Sequence, residues 1–102
     1  MLVELGEQAA AYKTLQRALE LDPQDSGTID LLYATTLELA KEAEAKKEDS
    51  DSLRYLQEAS KLRPQEAEPH RRMAEIYSRT ARSAQANAEQ AEADRLNKNS
   101  QN

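Results

Sequence analysis

Few side chains in this 102-residue sequence could do chemistry. His70 is its only histidine, and it has no cysteine. An imidazole can act as a general base, but it needs a nucleophile beside it. No motif sets a Ser or Asp next to His70, and there is no thiol to activate. Glu42, Glu44, Glu48, Asp49 and Asp51 form a run of carboxylates that could attract a cation. They lack the glycine and the ligand spacing of a calcium loop, so solvated helix ends and a loop account for them. No catalytic residue, metal or cofactor is expected, and the chain reads as a non-enzyme. Recognition chemistry remains. Arg71 and Arg79 carry guanidinium groups that can fork onto the carboxylates of an acidic peptide. Alternatively they pair along their own helix with Glu68 and Glu75.

The elements that must hold these residues are helical. Thirteen Leu, four Tyr, two Ile, two Met and one Val are the large apolar residues, and 17 Ala add small ones. Phe and Trp are absent, and Gly occurs twice. A β-sandwich or barrel needs many turns and β-branched residues, so the composition points to an all-α protein. No apolar run approaches the roughly 20 residues of a membrane span, and no leader is expected at Met1 to Gly6. The net charge of −5 is uneven: −7 over residues 1–60, +3 over 61–82 and −1 over 83–102. That leaves no coherent basic surface for nucleic acid, and the basic stretch reads as a solvated helix face. The lack of cysteine is compatible with any compartment; for a soluble chain the cytoplasm is the default expectation.

Prolines divide the chain. Leu21-Asp22-Pro23 and Leu62-Arg63-Pro64 each close a helical pattern, because a residue before proline is pushed out of the α region. Ala11, Leu15, Ala18 and Leu19 share one helix face, and Ser52, Leu56, Ala59 and Leu62 repeat it. Between them, Ile29, Leu32, Tyr33, Thr36, Leu37, Ala40 and Ala43 form a broad apolar stripe. Met73, Ile76, Tyr77, Thr80, Ala81 and Ala84 form another, which neither Gly nor Pro interrupts. The patterns predict helices over 7–21, 28–47, 51–62 and 67–95, with no strand. Residues 1–96 form one domain, and 97–102 a polar, disordered tail.

The chain also repeats itself. Leu15-Gln16-Arg17-Ala18-Leu19-Glu20-Leu21-Asp22-Pro23-Gln24 aligns without gaps on Leu56-Gln57-Glu58-Ala59-Ser60-Lys61-Leu62-Arg63-Pro64-Gln65, 41 positions on. Tyr33-Ala34 and Leu37 match Met73-Ala74 and Tyr77, 40 positions on. A period of this size implies a helical solenoid. At these residues, and at Leu2, Leu5 and Gly6, the sequence resembles the tetratricopeptide repeat over about residues 1–80. The resemblance implies a helix-turn-helix solenoid of about two repeats plus a long C-terminal helix. That family repeats every 34 residues. The seven extra are expected within Glu42 to Asp51, as one turn on each helix of the pair.

The resemblance also implies a function. In that family the first helices of each pair line a groove that grips peptides. The corresponding positions are Thr28, Leu31, Thr35, Glu38 and Leu39 on one helix, and Glu68, Arg71, Glu75, Ser78 and Arg79 on the next. The chain is therefore expected to be a protein–protein interaction scaffold that takes a partner peptide or helix. The alternative is a structural protein that self-associates. Tyr77, Ala81, Ala84, Ala88 and Ala91 recur at spacings of 4, 3, 4 and 3, a heptad seam of small residues. With so few large apolar residues, a homo-oligomer or a piece of a longer array is expected.

Overall fold

Pro23 and Pro64 stand in the two links where helices were expected to stop. The computed structural model describes residues 2–100, with side chains from Glu7 to Lys98. It comprises α1 (Leu2–Leu21), α2 (Ser26–Ala45), α3 (Asp49–Leu62), α4 (Glu68–Arg79) and α5 (Ser83–Ser100). No strand occurs among the described residues. Asp25 stands at the N-cap of α2, and the Thr28 hydroxyl donates to its carboxylate at 2.5 Å. Asp49 and Asp51 in the first turn of α3 favour its positive dipole end. Asn97 to Ser100 continue α5, so the expected polar tail is helical that far; residues 101–102 lie outside the described residues.

The expected single helix over 67–95 is two helices. Ala81 takes a left-handed backbone at φ 60°, its N–H donates to Ser78 O, and the Arg82 N–H donates to Tyr77 O at 2.8 Å. This paired bonding is a Schellman turn. The cause lies in the phases of the apolar positions. On one straight helix Ala86, Ala93 and Leu96 would face away from Met73 and Ile76. Folding back at Thr80–Arg82 buries both sets.

The α2–α3 link closes the same way. Lys47 has φ 61°, its N–H donates to Glu44 O at 2.9 Å, and the Glu48 N–H donates to Ala43 O at 2.8 Å. Neither turn has the glycine that this backbone favours, and a non-glycine residue there costs roughly 1 kcal/mol. Ala81→Gly should therefore raise stability by about 0.5–1 kcal/mol, or a few degrees in Tm by calorimetry. Ala84→Gly, inside α5, should lower it by a similar amount.

The two turns are 34 positions apart, at Lys47 and Ala81. Pro23 precedes its turn by 24 residues and Pro64 precedes its own by 17. The seven extra residues thus lie upstream of the turn, in α2. That helix is 20 residues long against 12 for α4, while α3 has only 14. The expectation of one added turn on each helix is corrected accordingly.

Each helix packs on its neighbours in the chain, most extensively within the α2–α3 and α4–α5 hairpins. The shortest dimension, 21 Å, is about that of two packed helices. The core joins Ala40, Leu53, Leu56, Met73 and Ile76, flanked by Leu37, Tyr55 and Tyr77. Small residues let α2 and α3 approach: the Ser52 hydroxyl donates to Ala40 O at 3.0 Å. Leu56, Ala59 and Met73 are buried as expected. Leu15, Ala18, Tyr33, Leu37 and Tyr77 are only half-buried. For Leu15 and Ala18 the reason is that α1, at the edge of the fold, is covered on one side only.

Candidate interaction surface

The residues of α2 that meet α4 and the preceding link are Asp30, Tyr33, Leu37 and Glu44. Asp30 is ion-paired with Arg63. The Glu44 carboxylate lies 3.9 Å from Arg72 and 3.6 Å from Arg79. Arg79 also donates to Asp49 at 3.1 Å, so its guanidinium fastens α4 to the α2–α3 turn. Helical spacing sets Leu31 and Thr35 on the other side of α2, with Glu38 between that side and Lys41. Leu31 is 60% exposed, Glu38 is exposed, and Thr35 and Leu39 are half-buried. Thr28 is buried with its hydroxyl engaged.

On α4, Arg71 is exposed and ion-paired along the helix with Glu68. Glu75, Ser78 and Arg79 are exposed. They line an open groove against Ala86, Asn87 and Gln90 of α5. The structure therefore does not bring the expected α2 residues Leu31 and Thr35 onto one surface with Arg71, Glu75 and Arg79. Counting back 34 positions from those three gives Leu37, Lys41 and Ala45. Lys41 and Ala45 are exposed, as are Ala34 and Glu38 beside them. Ala40 and Ala74, Ser52 and Ala86, and Ala59 and Ala93 carried this register in the sequence. The proline-anchored alignment obscured it.

His70 has a structural neighbour. Its Nδ1 lies 2.6 Å from Glu89 Oε1, linking α4 to α5. Four of the five residues of the acidic run are engaged with cations: Glu42 with Lys46, Glu44 with Arg72 and Arg79, Asp49 with Arg79, and Asp51 with Arg54. Of the small-residue seam, Tyr77 packs on the core from α4 and Ala81 forms the turn. Ala84, Ala88 and Ala91 are exposed on α5, so the five positions do not form one continuous seam. Among the described residues, no helix is long and apolar enough to cross a membrane.

Two tyrosines report on the packing. Burial, with the hydrogen bond to Glu58 next, pushes the Tyr12 hydroxyl well above its ordinary range. Burial, aided by the Glu66 and Glu68 carboxylates, pushes Tyr33 up to about 12. The fold thus favours both neutral phenols, and their contribution is complete below the unfolded value of about 10. It is lost as pH rises through the folded values. Tm should hold steady up to about pH 10 and fall above it, and Tyr33→Phe should flatten that fall in an alkaline melting series.

No family model matches the chain, and no curated protein matches it in sequence.

Proposed function

We propose that this chain is a non-enzymatic interaction module of tetratricopeptide type, a scaffold that binds a partner peptide or helix across α2 and α4. One observation supports the reading above all. Two helix hairpins are closed by the same turn 34 positions apart, the repeat length of that family. Small residues recur in the same register: Ala40, Ser52 and Ala59, then Ala74, Ala86 and Ala93, all buried. In this register the α2 wall is Ala34, Glu38, Lys41 and Ala45, and the α4 wall is Arg71 and Glu75. Both signs of charge alternate there, which suits a peptide carrying both acidic and basic side chains. Arg79 braces the wall through Glu44 and Asp49.

Selection of a displayed peptide library on the intact chain tests this reading. Selected peptides should bind at least tenfold more weakly to a Lys41→Glu/Arg71→Glu variant, with its helical circular dichroism unchanged. Peptides that bind both proteins equally would refute the groove. The second reading, self-association through α5, draws support from the exposed Ala84, Ala88 and Ala91. Loss of self-association in Ala88→Glu is its test.

A further inference from the structure

α1 is the one helix, among the described residues, with no fully buried side chain. Its inward positions Gln8, Tyr12, Leu15, Gln16, Ala18 and Leu19 are all half-buried. Every other helix buries at least three residues. Contacts on the covered side are specific: the Tyr12 ring meets Tyr55 edge-on at 5.7 Å, and Gln16 donates to Glu58 at 3.3 Å. Beside them opens a cleft of about 490 Å³ between α1, α2 and α3. Leu19, Leu32 and Leu62 supply its apolar lining. Glu20 stands on the α1 wall and Lys61 on the α3 wall, both exposed, while the cleft's other carboxylate, Glu58, accepts from Tyr12 and Gln16. The next residue, Leu21, is 88% exposed, the most exposed large apolar side chain described.

We propose that this face is where a second copy of the chain docks, α1 against α1 about a two-fold axis. The charges argue for that occupant. A two-fold interface is self-complementary, so a residue that meets a second is met by it in return. Glu20 facing the partner subunit's Lys61 automatically sets Lys61 facing the partner subunit's Glu20. Two unlike pairs then flank the leucine-lined cleft, and each Leu21 leaves water on the other chain's apolar surface. A single peptide partner would satisfy these groups once; a second copy satisfies them twice with residues already present. This face is separate from the α2–α4 surface proposed above, so either can fail without the other.

Sedimentation equilibrium from micromolar to near-millimolar chain is the test. The parent should dimerise. Leu21→Asp should weaken the dimer about a hundredfold, because two leucines lose their burial. Lys61→Glu should weaken it about tenfold, and the exchange Glu20→Lys/Lys61→Glu should restore most of that loss. All three positions are exposed or on the rim, and circular dichroism verifies that each variant keeps the fold. A monomer throughout the range overturns the proposal. So does a dimer indifferent to Leu21→Asp, or a charge exchange that restores nothing. A dimer abolished only by Ala88→Glu would assign association to α5 and overturn it as well.

Discussion

Ala59→Glu should leave the chain without a cooperative thermal transition. Ala59 lies on α3, which packs on both α2 and α4, and it is completely buried. A methyl group is all that the crossing admits. A glutamate there must either bury its carboxylate or force the helices apart. An uncompensated buried charge costs several kcal/mol, comparable with the roughly 5–15 kcal/mol that holds a typical domain together. The far-ultraviolet spectrum should lose most of its helical signal at ambient temperature. Ala88→Glu, on the exposed side of α5, should keep that signal and melt cooperatively. If Ala59→Glu melts within a few degrees of the parent, α3 is not packed as described.

Leu56→Ala should cost about 3 kcal/mol, and Leu15→Ala only about 1. The two leucines occupy matching places in the 41-residue alignment, so the sequence gives no reason to expect a difference. Their surroundings differ. Leu56 is fully buried in a cluster with Ala40, Leu53, Met73 and Ile76, so its removal opens a cavity bounded by three helices. Leu15 on α1 is already half in water, and its site can relax or hydrate. For a domain of this size the difference should separate the melting temperatures by roughly 8–16 °C. Equal losses would mean that α1 is as much part of the core as α3.

Helix content and most helix boundaries were legible in the sequence because their causes are local. A proline disfavours the α region one residue earlier, and this ended α1 and α3 as expected. Apolar spacing near 3.6 correctly marked Leu56, Ala59 and Met73 as interior. The break at Thr80–Arg82 was not legible. Thr-Ala-Arg contains no glycine or proline, and alanine is the strongest helix former. Nothing local favours a left-handed Ala81; the gain is the burial of Ala86, Ala93 and Leu96 against α4, which exists only once the chain has folded back. Their phase, opposite to that of Met73 and Ile76, was the available signal, and the regular spacing of Ala84, Ala88 and Ala91 masked it.

The candidate surface divides along the same line. Arg71, Glu75 and Arg79, expected together on one helix, are all exposed on α4. Leu31 and Thr35 of α2 were expected beside them, whereas helical spacing turns both away from the α2 residues that pair with α4. Alignment from proline to proline counts residues along the chain, whereas helix packing counts from the turn where two helices meet. The 40-residue offset that paired α2 with α4 and the 34-residue spacing of the two turns differ by six residues, which rotates the selected face of α2 by about a third of a turn. Composition and proline placement suffice to make the chain helical and to end α1 and α3. Tertiary structure alone decided that α4 and α5 are separate, that Arg79 braces Glu44 and Asp49, and that α1 keeps one face half-covered. Each of these depends on contacts between residues distant in the chain, whose free energy no local pattern carries.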